Sequence, residues 1–118
     1  MQPIMDFPTY QEEAMKTVPD NLTSSEIVDN AVYGLIGEVG ELVDIVKKVK
    51  FQGHPLDEET RIHCLLEVGD ILWYATEMVY GLGYDLNKAA LMNINKLRAR
   101  YGDHFDTQKS QNRKEGDI

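Results

Sequence analysis

From Ala31 to Val49 the apolar side chains return at helical spacing. Ala31, Val32, Leu35, Ile36, Val39, Leu42, Val43, Val46 and Val49 recur every three or four positions, which gathers them on one broad side of a helix with 3.6 residues per turn. A strand needs alternation at period two between turn signals, and no segment of the chain offers it. The block also has ends. Thr23 and Glu26 are spaced for a capping box, in which each side chain satisfies a free amide of the other, and Gly53 with Pro55 stops the helix.

Three more helices follow from the same logic. Thr9 and Glu12 suggest a capping box for a first short helix, which passes Ala14 and Met15 and stops before Pro19. The third begins near Asp57, where Glu58 and Glu59 suit the positive end of the helix dipole. It carries Ile62, Leu65, Leu66, Ile71, Leu72, Tyr74 and Met78 up to Gly81. A fourth runs from about Asp85 to Tyr101, and Gly102 is a natural stop. The expectation is an all-α, four- to five-helix bundle over residues 1–106, followed by a polar, flexible tail over 107–118. The apolar faces of the second and third helices are broader than one such bundle needs, so part of them is expected inside an oligomer interface.

Composition excludes several classes. A net charge of −8 repels phosphate backbones, so no nucleic-acid polymer is expected as a partner. No run reaches the ~18 apolar residues of a membrane span, and Met1 to Tyr10 holds Asp6 and two prolines where a signal core would lie. Cys64 is the single cysteine, which fits a reducing compartment. These features suggest a cytoplasmic protein away from membranes.

Two acidic pairs interrupt the apolar helices. Glu38 and Glu41 lie three apart on the second helix, and Glu67 and Asp70 repeat the spacing on the third. Residues three apart share a helix face. If the two helices form an antiparallel hairpin, four carboxylates converge, and their repulsion and desolvation cost several kcal/mol. Mg²⁺, a hard cation that takes oxygen ligands, removes that cost. Gly34, Gly37 and Gly40 form a smooth strip beside the first pair, and Gly69 adjoins Asp70. Helix-interior glycine costs roughly 0.5–1 kcal/mol relative to alanine, so the strip suggests close approach by a neighbour or a ligand.

Further polar residues extend the pattern. Lys48 lies ten residues after Glu38, nearly in line with it, and Tyr74 stands one turn past Asp70. Asn93, Lys96 and Arg100 form a stripe on the fourth helix. Cations near Mg²⁺ suit polyphosphate recognition, though alone the stripe reads as an exposed face or as salt-bridge partners of Glu58 and Glu59. His63, four residues before Glu67, reads more readily as a capping or core residue than as a substrate contact. His54 in the Gly53–Pro55 loop borders the site or is simply exposed, and His104 carries no signal. Glu77 either joins the acidic row or lies at the surface. A di-iron bundle needs Glu-x-x-His on two helices; Asp44 and Asp70 stand where those histidines would be.

Glu-x-x-Glu, a gap of 25 residues and Glu-x-x-Asp, set in GLIGEVGELVDIVKK, LLEVGDILWY and NINKLRARYG, resemble the MazG-type nucleoside triphosphate pyrophosphohydrolases, the all-α NTP pyrophosphatases, over roughly Phe7 to Asp106. The resemblance implies Mg²⁺-dependent hydrolysis of ribo- or deoxynucleoside triphosphates to the monophosphate and pyrophosphate, as in nucleotide-pool control or house-cleaning. It implies metal ligation by Glu38, Glu41, Glu67 and Asp70, with Mn²⁺ as a possible substitute. It implies phosphate contacts from Lys96 and Arg100, nucleotide contact by Tyr74, and lesser roles for Lys48 and Asn93. A homodimer or homotetramer is implied as well. Glu41 is the carboxylate expected to orient or deprotonate the attacking water. The alternative is a non-catalytic oligomeric helical interaction module whose acidic pairs tune assembly.

Overall fold

The computed structural model describes residues 2–102 and 105–113, so His104 and residues 114–118 lie outside it. Five helices and no strand occur among the described residues: α1 Phe7–Met15, α2 Ser24–Phe51, α3 Glu58–Gly81, α4 Leu86–Tyr101 and α5 Thr107–Gln111. The architecture is the expected all-α one. The stretch expected as a polar tail opens with α5, none of whose residues is buried.

Helix starts follow local side-chain chemistry. Thr23 and Glu26 form the anticipated capping box on α2, Asp57 caps α3, and Asp85 caps α4. The start of α1 differs from the reading of the sequence. Its cap is Asp6, whose carboxylate accepts from the Thr9 amide at 2.8 Å, so Thr9 lies inside the helix. Pro8 falls in the first turn, where a missing N–H costs nothing.

The 28 residues of α2 and 24 of α3 make an antiparallel hairpin, about 40 Å long at 1.5 Å per residue. The helices approach closely at the open end, where a side chain on Gly81 would meet Ile27 and Val28. The core lies near that end and consists of Ala14, Val18, Ile27, Ala31 and Leu86. Two hydrogen bonds from Trp73 Nε1, to the Ala14 carbonyl at 3.1 Å and to Thr17 Oγ1 at 2.9 Å, pin α1 to α3. Gln11 Oε1 accepts the Leu86 amide at 2.7 Å and fixes the start of α4. Among the described residues α4 touches α1, α3 and α5 but not α2.

A second side of α2 stays open. Val32, Ile36, Val39, Val43 and Val46, spaced alternately four and three apart, are all exposed, Ile36 to 69%. Leu65, Leu66 and Val68 of α3 are exposed too. These are the surplus apolar faces noted in the sequence.

Candidate metal centre and its two flanks

The antiparallel hairpin sets α2 and α3 residues opposite one another in rungs. From the loop end, Asp44 and Lys48 of α2 share a cavity with Thr60 and His63 of α3. Next come Glu41 beside Glu67, then Glu38 beside Glu67 and Asp70. Gly34 then lies under the Tyr74 ring, and Asn30 faces Glu77.

Glu38, Glu67 and Asp70 each bring a carboxylate oxygen to within 4.8 Å of the others. Glu67 is only 7% exposed, and Oε2 of both Glu38 and Glu67 is buried without a hydrogen-bond partner. Orphaned buried carboxylate oxygens are costly. The Glu67 carboxylate, which accepts a hydrogen bond from Glu38 only when Glu38 is protonated, pushes the Glu38 carboxyl up to about 7, aided by burial and by the charges of Glu41, Asp70 and Glu67. A divalent cation would give both orphaned oxygens a partner and remove the repulsion, so this all-oxygen donor set fits Mg²⁺.

Towards the hairpin loop, a cavity of about 610 Å³ opens beside the carboxylates. Glu41 and Glu67 stand at its inner end, and Lys48, His54, Thr60 and His63 line the remainder. Side chains added at Gly37 or Gly40 would meet nothing within 4 Å, so the glycines leave the groove unobstructed. Lys48 Nζ is 2.8 Å from Asp44, which it holds below the usual carboxylate range. His63 Nε2 lies 3.5 Å from Glu67 Oε1, and its side chain is 58% exposed.

The opposite flank is aromatic. A side chain on Gly34 would collide with the Tyr74 ring, so the glycine is what lets that ring lie against α2. Trp73 meets Tyr74 edge-on, with ring centroids 5.1 Å apart and planes at 88°. Tyr10 on α1 is half-buried, and burial followed by the Asp70 charge pushes its phenol up. One rung further, Glu77 is completely buried, and Asn30 Nδ2 donates to its oxygens at 2.9 and 3.0 Å. Burial raises its pKa against the lowering effect of Asn30.

The expected residues thus divide. Glu38, Glu67 and Asp70 form the trio; Glu41, exposed and three residues from Glu38, lines the adjoining cavity with Lys48. Tyr74 occupies the other flank. Asn93 and Lys96 are exposed on α4 and line neither the trio nor this cavity. Arg100 borders a separate cavity of about 260 Å³ between α4 and α5, with Arg98, Lys109 and Arg113. His63 is neither core nor cap but an exposed pocket residue, for which its position one turn before Glu67 was the signal. Glu77 is interior, not surface, because the polar amide of Asn30 receives it. Tyr10 was missed entirely, since only the docking of α1 on α3 brings it near Asp70.

The MazG nucleotide pyrophosphohydrolase domain matches residues 28–105 of this chain. The Gene 37 protein of Mycobacterium phage L5 is 32% identical over 78 residues, covering 65% of this chain and 68% of the phage protein. No solved structure matches.

Proposed function

The chain belongs to the MazG nucleotide pyrophosphohydrolase domain family, and from that footing we propose that it hydrolyses nucleoside triphosphates to the monophosphate and pyrophosphate, with Mg²⁺ held by Glu38, Glu41, Glu67 and Asp70. The observation that carries the reading is the pair of buried, partnerless oxygens on Glu38 and Glu67 beside Asp70. A packed helical protein gains nothing from two such atoms unless a ligand completes them.

When bound, Mg²⁺, or Mn²⁺ in its place, neutralises charge on the reacting phosphate oxygens and favours ionisation of water. The chain supplies the rest. Water adds across the bond between the α- and β-phosphates, the bridging P–O bond breaks, and one proton is released. Glu41, an exposed residue lining the cavity beside Glu67, orients that water and takes its proton. Lys48 offers a cation to the phosphates from the same cavity. Asn93, Lys96 and Arg100 stand on a helix that does not touch α2, so in this reading they bind phosphate on a site brought to them by a second chain.

Assembly belongs to the same proposal. The chain exposes 9103 Å², whereas a compact monomer of this mass exposes about 6500 Å². The excess, roughly 2600 Å², is in the range that oligomers bury. The alternate four- and three-residue spacing of Val32, Ile36, Val39, Val43 and Val46 suits another helix packed along α2. We therefore read the protein as a homodimer or homotetramer. No helix among the described residues is long and apolar enough to cross a membrane, and the proposed place of action is the cytoplasmic nucleotide pool.

Calorimetric titration with Mg²⁺ tests the metal assignment. The wild-type chain is expected to bind it, and Glu67→Ala to lose most of that affinity while remaining folded. A folded wild-type chain with no measurable Mg²⁺ binding, alone or with nucleotide, would leave the acidic pairs as assembly determinants of a non-catalytic module.

A further inference from the structure

We propose that α1 forms the nucleoside end of the substrate site, with Tyr10 contacting the nucleoside, while the pyrophosphate end lies in the cavity lined by Lys48 and His63. This rests on the hydrolytic reading and adds to it a direction for the substrate and a contact for its variable part.

The two flanks of the carboxylate trio differ in chemistry. Towards the hairpin loop the cavity walls are polar, with Lys48, His54, Thr60 and His63 offering donors. Those groups suit phosphate oxygens. Away from the loop the groups are aromatic: Tyr74 over Gly34, Trp73 edge-on to it, and Tyr10 on α1, one turn before the Ala14 carbonyl that Trp73 holds. Aromatic faces suit a base or sugar. His63 and Tyr74 are eleven residues apart on one helix, about 16 Å at 1.5 Å per residue, and the trio lies between them. A nucleoside triphosphate laid along the groove with its α–β linkage at the carboxylates would place its two ends on these two flanks.

The position of Tyr10 is fixed by more than its own contacts. The Ala14 carbonyl, one turn further along α1, and the Thr17 hydroxyl just beyond the helix accept both hydrogen bonds from Trp73, and Gln11 holds the start of α4. The phenol is therefore carried on a rigid support, as a selective contact requires. The helix also lies outside residues 28–105, the segment that the MazG domain matches. A side chain from α1 can set base or sugar preference while the carboxylates of the matched segment keep the chemistry. A phenol hydroxyl can both donate and accept a hydrogen bond.

The two reaction products separate the two ends. Calorimetry with Mg²⁺ measures binding of each standard nucleoside monophosphate and of inorganic pyrophosphate. Tyr10→Ala is expected to weaken the best-bound monophosphate on the order of tenfold and leave pyrophosphate unchanged. Lys48→Ala is expected to do the reverse. Tyr10→Phe keeps the ring and tests the hydroxyl alone, and Tyr10→Leu retains apolar packing if the alanine variant does not fold. Monophosphate affinity unchanged in Tyr10→Leu, or pyrophosphate weakened as much as monophosphate, overturns the proposed direction. A folded wild-type protein that binds neither product contradicts the hydrolytic reading itself.

Discussion

At the scale of single residues, the Glu38 carboxyl ties metal binding to pH. Unfolded, it titrates near 4.5; in the fold, the neighbouring Glu67 carboxylate pushes it up to about 7. Between those values the folded chain keeps a proton that the unfolded chain has lost, so metal-free stability falls as pH rises through that window. Buried Glu77, also raised, acts in the same direction. Thermal melting without divalent ions is expected to show that fall, Glu38→Gln to flatten most of it, and Mg²⁺ to restore stability above about pH 7. A melting temperature that rises through the window would contradict the raised Glu38 carboxyl. Alanine at Glu38, Glu41, Glu67 or Asp70 is expected to preserve the fold, since each change relieves repulsion, and to cut activity a hundredfold or more, about 2.7 kcal/mol. Unfolding of these variants, or retained activity, would make the carboxylates structural. The acidic pairs were legible in the sequence because an i,i+3 repeat sets side chains on one face whatever the tertiary fold. That Glu41 lines the cavity while Glu38 joins Glu67 and Asp70 was not, because the rotation of α2 against α3 decides it.

At the scale of helices, three glycines of α2 that look alike in sequence serve different ends. Gly34 sits under Tyr74, whereas side chains at Gly37 and Gly40 would meet open space. Gly34→Ala is expected to displace the Tyr74 ring and destabilise the hairpin by about 1–3 kcal/mol. Gly40→Ala is expected to raise the melting temperature slightly through helix propensity, worth up to about 1 kcal/mol, while slowing turnover by narrowing the cavity. Equal melting shifts for the two variants would remove the distinction. Helix boundaries were largely legible, since Thr23, Asp57 and Asp85 cap α2, α3 and α4 locally. The α1 cap was misplaced because Asp6 and Thr9 both precede acceptable first turns, and only the formed bond to the Thr9 amide selects Asp6. The burial of Glu77 depends on Asn30, 47 residues away, and such a pairing has no local signal.

At the scale of the whole molecule, the chain is more open than its length requires, which supports the proposed oligomer. Its radius of gyration is 17.4 Å, against about 13.5 Å for a compact chain of this length. The surplus apolar positions could be counted in the sequence, but which of them remain uncovered depends on how α1 and α4 pack. Light scattering is expected to find a dimer or tetramer, and Val43→Lys, in the exposed row of α2, to shift it towards monomer with loss of stability. A stable wild-type monomer at micromolar concentration would contradict the shared core. The chemistry has its own decisive observable in the bond that breaks. Phosphorus NMR should follow standard and modified nucleoside triphosphates incubated with the protein and Mg²⁺. At least one is expected to yield monophosphate and pyrophosphate, with turnover abolished by EDTA; diphosphate with orthophosphate, or no turnover across the panel, would contradict the assignment.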